Sequence, residues 1–382
     1  MAKQNRYSRR SFLRASAGVA AATSVYGLGA CASPNQAAPQ AAPTVAAAAT
    51  APAAAEAAPA QSGKLQVAWV AQQQAAQSDQ RALKGFQDWM AQNSVDWDVA
   101  VTDAKGDPGT LSNMVSDAVT RQVDAIIVAF GTLTAAQGAL QQVAASGIPF
   151  FSIDSGYFPP AICDVASDNY VMGANMGSYL VQRLQGLGKT EPNICTIIAN
   201  FHHGTRKRGE VLNVVLQENQ NIKVLDSRII QYDKFFETTL NTVNDWLTRF
   251  QGQIDAIWCP WDEPAMAASQ AIISRGLSVD DIIVIGADGH PPAVEEMRKP
   301  EYPLVCTCAQ AFELWGALVG TYVRDIVEQK KPVQEIVPVP TISFPAPFLV
   351  KEVNLPEPGL LPWQTTDFYQ LYMDAAKQGL GL

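Results

Sequence analysis

Gln122-Val123-Asp124-Ala125-Ile126-Ile127 returns later in the chain as Gln253-Ile254-Asp255-Ala256-Ile257-Trp258, displaced by 253 − 122 = 131 residues. Each stretch leads from the end of an amphipathic segment into a short apolar run, the junction of a helix with a buried strand. Around the first, strands are expected at 65–71, 97–102, 125–129 and 150–153, separated by helices at 80–92, 109–121 and 134–145. These strands are apolar on both faces, as a parallel sheet covered by helices demands. Around the second, strands at 194–199, 223–230, 256–259, 282–286 and 304–308 alternate with helices at 206–217, 235–250 and 265–275. The same order of elements written twice predicts an α/β fold of two Rossmann-like lobes with parallel sheets.

The chain has 382 residues, more than one small core needs and enough for two lobes with accessory segments. Its 36 acidic and 27 basic residues leave a net charge of -9. That balance repels phosphate backbones, so a nucleic-acid partner is not expected.

The charge is unevenly spread. Lys3, Arg6, Arg9, Arg10 and Arg14 precede any acid, and an apolar run at 15–30 follows. This is the pattern of an export signal, too short for an ordinary membrane span. Ser8-Arg9-Arg10-Ser11-Phe12-Leu13-Arg14 resembles a twin-arginine signal, and Leu28-Gly29-Ala30-Cys31 resembles a bacterial lipobox. Residues 1–31 therefore read as signal plus lipidation site, with Cys31 the expected lipid anchor of an extracytoplasmic protein. Residues 32–63, almost all Ala, Pro, Gln and Thr, read as a solvated tether. Cys163, Cys195, Cys259, Cys306 and Cys308 are an odd set, which argues against a full disulfide framework and for small buried side chains.

Residues 64 to about 353 resemble the periplasmic sugar-binding proteins of ABC transporters, the ribose- and galactose-binding group. The marks are Gly147 to Asp154, ending a strand on an aspartate; Ala166-Ser167-Asp168-Asn169-Tyr170; Arg206-Lys207-Arg208-Gly209; Trp261-Asp262-Glu263; Gly286-Ala287-Asp288-Gly289; and Ala309-Gln310. The resemblance implies a type I binding-protein fold whose lobes are hinged by three crossover segments, with hinge residues Asp168, Asn169 and Gln310. It implies a first lobe of 64–168 plus 311–340, a second of 169–310 plus 341–355, and a C-terminal extension at 356–382. The third crossing is expected near 339–343.

The same resemblance implies a small neutral solute, a sugar or polyol, held in the cleft and delivered to an ABC transporter permease by a monomer without cofactor or metal. Its expected contacts are Gln72, Asp154, Ser155, Arg208, Tyr232, Trp261, Asp288 and Gln310. The residue types suit the task. Asp154 and Asp288 can accept from adjacent hydroxyls, Arg208 offers a planar fork of donors, and Gln310 both donates and accepts. Tyr232 and Trp261 can cover the C–H face of a ring, with Tyr157 a weaker addition. The segment 72–79 lacks the aromatic residues the ribose-binding group carries there, which suggests that an aromatic wall has moved to the second lobe.

Two rival readings use the same residues. A glycosidase would employ a carboxylate pair, yet no pair stands out by spacing, and Gly-x-Ser-x-Gly and Walker signatures are absent. His202, His203 and His290 make a thin metal set and read as surface residues. An extracytoplasmic receptor of the same fold, for signalling, chemotaxis or another solute such as a nucleoside or autoinducer, is the alternative to transport.

Overall fold

In the computed structural model, which describes residues 63–343 and 347–365, the repeated junction does the same work in both places. Asp124 Oδ2 accepts the Gln66 N–H at 2.7 Å, and Asp255 Oδ2 accepts the Asn193 N–H at 2.7 Å. In return the Asp124 and Asp255 N–H groups donate to the carbonyls of Gln66 and Asn193, each at 2.8 Å. An aspartate placed here ties the entrance of one central strand to the next and sets their register.

The chain first forms β1 (Gln66–Ala71), α1 (Gln77–Gln92), β2 (Asp98–Asp103), α2 (Pro108–Thr120), β3 (Ala125–Ala129), α3 (Gln137–Ser146), β4 (Phe150–Ile153) and β5 (Cys163–Ala166). It then crosses into α4 (Asn169–Gly186), β6 (Asn193–Ile198), α5 (His203–Glu218), β7 (Lys223–Ile229) and α6 (Phe235–Arg249). The second lobe continues with β8 (Ala256–Trp258), α7 (Asp262–Ser274), β9 (Ile283–Asp288), α8 (Pro291–Glu296) and β10 (Leu304–Ala309). Last come α9 (Phe312–Tyr322), β11 (Thr341–Ser343) and β12 (Phe348–Lys351). The first sheet has the order β11-β5-β4-β3-β1-β2 and the second β12-β10-β9-β8-β6-β7. All pairings are parallel except β10 with β12.

The central strands of each sheet are buried on both faces. Along β3, Ala125, Ile127 and Ala129 join one core while Ile126 and Val128 join the other, the period of two that a strand imposes. In the second lobe β8 divides likewise, Ile257 facing one core and Ala256 and Trp258 the other. Helix α9 returns the chain to the first lobe, where Phe312, Trp315 and Val319 share a core with Trp69 and Phe86. Glycines permit its close approach to α1: a Cβ on Gly316 would collide with the Ala82 carbonyl, and one on Gly85 with that of Glu313.

Several local expectations are corrected. Strand β5 and helix α4 were not anticipated. Helix α9 ends at Tyr322, after which Val323–Glu328 widens into a π turn. Thr341–Ser343, expected in the second lobe, pairs with β5 in the first sheet through Thr341 to Asp164 and Ser343 to Ala166. The chain therefore crosses for the third time between Ser343 and Phe348, later than the expected 339–343. The other crossings fall between β5 and α4, where Asp168 caps the helix by accepting from the N–H groups of Tyr170 and Val171, and at Gln310 between β10 and α9.

Cys163, Cys195, Cys259, Cys306 and Cys308 are free and buried, and burial pushes the Cys308 thiol up to about 12. Among the described residues no helix is long and apolar enough to cross a membrane. The signal, Cys31 and the tether lie outside the described residues, as does 366–382. The described part of the C-terminal extension runs from the second lobe to the hinge. Leu355 packs on the second core, Arg298 donates to the Pro356 carbonyl, and Trp363 Nε1 donates to Glu313 Oε2 at 2.9 Å.

Candidate functional site

The carboxyl ends of both sheets face one cavity, the place where open α/β sheets take their ligands. Asp154 follows β4, Asp288 ends β9, Gln310 follows β10, and Arg208 projects from the first turns of α5. All four line the cavity together with Tyr232 and Trp261. Asp154 and Asp288 both have left-handed backbones, with φ of 40° and 102°, a conformation that costs a non-glycine residue and clusters at functional sites.

These side chains form one hydrogen-bonded chain across the lobes. Asn169 Nδ2 donates to Asp154 Oδ1 at 3.2 Å, and Arg208 Nε donates to Asn169 Oδ1 at 2.8 Å. Arg208 Nη1 donates to the Pro260 carbonyl at 2.7 Å and to Asp288 Oδ1 at 3.2 Å, where Gln310 Nε2 also donates at 2.6 Å. Some of the binding capacity stays open. Asp154 Oδ2, Arg208 Nη2 and Gln310 Oε1 have no partner among the described residues, though the last is fully buried.

Aromatic rings flank this polar chain. The second lobe contributes Phe201, Tyr232, Phe235 and Trp261, arranged edge to face, with Phe201 and Tyr232 centroids 4.7 Å apart and Phe235 and Trp261 5.4 Å apart. Phe130, beyond β3, and Phe312, opening α9, cover the opposite side with centroids 5.7 Å apart. The first lobe thus keeps an aromatic wall, supplied by other segments than 72–79. Tyr157 stands 40% exposed and lines no part of the cavity.

Two candidates fall elsewhere. Ser155 is buried, but its hydroxyl accepts the Gly131 N–H at 2.8 Å and donates to the Ile153 carbonyl at 3.0 Å, bracing the turn that carries Asp154. Gln72 lines an adjoining cavity, where its Oε1 accepts the Thr132 N–H at 3.1 Å.

The histidines are not surface residues. His202 Nδ1 accepts the Gly204 N–H at 3.2 Å, so Nε2 carries the proton and donates to the Asp154 carbonyl at 2.5 Å. Burial pulls its pKa down to about 4, keeping the ring neutral. His203 Nε2 stands 3.3 Å from Asp154 Oδ1. Burial alone would raise the Asp154 pKa, but the His203 hydrogen bond and the charges of His203 and Arg208 outweigh it and hold the group ionised. His290 Nε2 faces Glu263 Oε2 at 3.1 Å and Asp288 Oδ2 at 3.6 Å. Burial lowers His290, and the Glu263 charge more than reverses this.

Among the described residues two groups bring metal-type atoms within 4.8 Å of one another, Asp154 with His202 and His203, and Glu263 with Asp288 and His290. In the first, both His202 nitrogens are taken by the backbone. In the second, the Arg81 guanidinium lies 3.2 Å from His290 Nδ1. A further cation would have to displace bonds or sit beside an existing one, so neither group fits a metal well.

Arg81 was not singled out in the sequence. Its Nε and Nη2 form a fork to Glu313 at 2.7 and 3.0 Å, while Nη1 donates to the carbonyls of Asp288 and Gly289 and Nη2 to that of Gln310. It ties the helix pair α1 and α9 to the loops that present Asp288 and Gln310. The Gln77 N–H adds a second tie, to Glu263 Oε1 at 3.3 Å. Through Arg81 and Gln77, α1 is tied directly to the second lobe.

A cavity between two lobes built on mainly parallel sheets, polar along one edge and aromatic on its flanks, defines a bilobal solute-binding protein. The chain belongs to the periplasmic binding protein family, whose domain model matches residues 76–331. It is 23% identical over 201 residues to a xylitol-binding protein of Mycolicibacterium smegmatis, covering 52% of this chain and 55% of the relative. It is 25% identical over 195 residues to a D-apiose import binding protein of Paraburkholderia graminis, covering 50% of this chain and 60% of the relative. The chain thus matches little more than half the length of these relatives. Among solved structures, a sugar ABC transporter protein from Yersinia enterocolitica matches with a TM-score of 0.68 at 20% identity, over 84% of this chain and 96% of that one. A solute-binding protein from Bacillus halodurans with bound myo-inositol gives 0.66 at 22% identity, over 78% and 97%. These structural likenesses show the fold.

Proposed function

We propose that this protein is the substrate-binding component of an ABC transporter, capturing a sugar or sugar-like polyol between its lobes and delivering it to a permease. The observation that carries this reading is the set of open groups on the cavity edge. Asp154 Oδ2 and Gln310 Oε1 are acceptors and Arg208 Nη2 is a double donor, the complement of neighbouring hydroxyls. The rings on either side can cover the apolar faces of a sugar. The named ligands of the relatives, xylitol and D-apiose, are of the same class.

The carboxylates serve binding in this reading and not catalysis: Asp288 is already shared by Arg208 and Gln310, and Asp154 is held ionised. Asp168, Asn169 and Gln310 lie at crossings about which the lobes open and close, and a ligand touching both lobes favours the closed form. The protein acts as a monomer outside the cytoplasm, held to the membrane by lipid on Cys31. A thermal-shift screen against pentoses, hexoses, polyols and nucleosides tests the proposal. A sugar or polyol that raises the melting temperature in proportion to the logarithm of its concentration supports it. A response confined to non-hydroxylated or charged solutes refutes it.

A further inference from the structure

Beside the main cavity lies a second one, and the two have part of their walls in common. Phe130, Phe201, His202 and Tyr232 line both. Beyond them the second cavity is walled by Gln72, Gly106, Pro108 and Thr132. The main cavity has about 40 Å³ of free volume and this annex about 160 Å³. At about 10–15 Å³ for one water on this measure, the annex is far more than a water niche.

The linings differ in chemistry. The main cavity carries Asp154, Arg208 and Asp288, whereas among the described residues no Asp, Glu, Lys or Arg borders the annex. Gln72 offers the clearest directional group there: its Oε1 is occupied by Thr132, and its Nε2 has no partner among the described residues. Gly106, at φ 82°, lies against the Tyr232 ring, where a Cβ would stand 3.1 Å from Cδ1. The glycine thereby leaves the shared ring in place at the boundary between the two spaces.

We propose that the annex is a subsite for an uncharged apolar or aromatic substituent, so that the preferred ligand is a substituted sugar of glycoside type and not a bare polyol. This rests on the sugar reading of the main cavity and extends it. The hydroxylated part lies along Asp154, Arg208 and Gln310. The substituent passes between Phe130 and Tyr232 and sits against Pro108 and Thr132, with Gln72 Nε2 donating to one acceptor on it.

Calorimetry on the purified protein tests this with D-xylose, D-ribose and D-glucose beside their phenyl β-glycosides. At least one phenyl glycoside should bind about tenfold or more tighter than its parent, the scale of burying one aromatic group. Thr132→Phe and Pro108→Phe, which fill the annex from positions outside the main cavity, should erase that gain and leave the parent sugar's affinity unchanged. Circular dichroism melts identify which variant is folded, and either one suffices. Parents that bind as tightly as their glycosides overturn the annex and leave the sugar reading standing. So does a gain that survives in the folded variants, or parent affinity that falls along with it. Binding by neither series overturns both readings.

Discussion

Arg208 is the side chain on which the site depends most directly. It is 2% exposed, and of its five N–H donors three are committed to Asn169, Pro260 and Asp288. Arg208→Met keeps the apolar stem and removes every one of these bonds. Asp288 then retains only Gln310 as a described hydrogen-bond donor, and the ligand loses the Nη2 donors. Truncating one partner of a buried, hydrogen-bonded charge pair costs about 2–5 kcal/mol of binding, or about 30-fold to several-thousand-fold in Kd. The fold suffers too, because breaking such a pair leaves a buried charge uncompensated, typically about 3–5 kcal/mol. Calorimetry with the best solute from the thermal screen measures the first effect, and a urea melt measures the second. Arg208→Lys should fall between wild type and Met, since one ammonium cannot serve three divergent acceptors. The double variant Arg208→Met/Asp288→Asn should lose less affinity than the two single losses added together, because the two groups act as a unit. A folded Arg208→Met protein with wild-type affinity would refute the assigned site.

Other perturbations follow from particular residues. Asp262 is buried and burial raises its pKa to about 7, above the ordinary 3.8, so its ionisation weakens the fold as pH rises from about 4 through 7. Asp262→Asn keeps an acceptor for the His290 N–H and should melt higher than wild type at pH 8, the gap closing toward pH 4; a gap independent of pH contradicts this. Gly316→Ala drives a methyl into the Ala82 carbonyl and should cost about 1–3 kcal/mol in denaturant unfolding, whereas an unchanged midpoint would mean that α1 and α9 can part without penalty. Cys31→Ala should move the protein from the membrane to the soluble fraction on cell fractionation, and unchanged membrane retention defeats the lipid anchor. Saturating solute should lower the radius of gyration of the folded body in small-angle scattering, and an unchanged radius defeats hinge closure.

The two lobes were legible because parallel strands buried on both faces write near-continuous apolar runs, and because Asp124 and Asp255 repeat one structural task. Strand β5 escaped notice because its four residues include Asp164, an acid buried by bonds from Ser152 and the Ser155 N–H. Helix α4 carries Gly173 and Gly177 in its interior, which weakens its signal but lets it lie against Val211 and Val215 of α5. Six of the eight expected contacts share one cavity, since aspartates and glutamines just past strand ends advertise themselves. Ser155 and Gln72 share that position and differ only in which way the turn carries their side chains. The histidines were misread because the groups that hold them are remote in sequence: Asp154 is 48 residues from His202, and Arg81 is 209 from His290. Phe130 itself takes a left-handed backbone, φ 57°, just past the end of β3, a conformation that a phenylalanine does not advertise.

The three crossings also constrain how the molecule is made. The first sheet lacks its outer strand until residues 341–343 are in place, and the second lacks its own until 348–351. The buried partner of α1 is α9, more than two hundred residues downstream, and Trp363 reaches the same hinge later still. A growing chain therefore cannot complete the first lobe before beginning the second, as a string of independent domains would. Both halves remain unfinished until the last stretch arrives and completes them within about a dozen residues of each other. A chain cut short near residue 340 would keep α9 but leave two open sheet edges, along β5 and β10, so such fragments should be aggregation-prone and open to proteases.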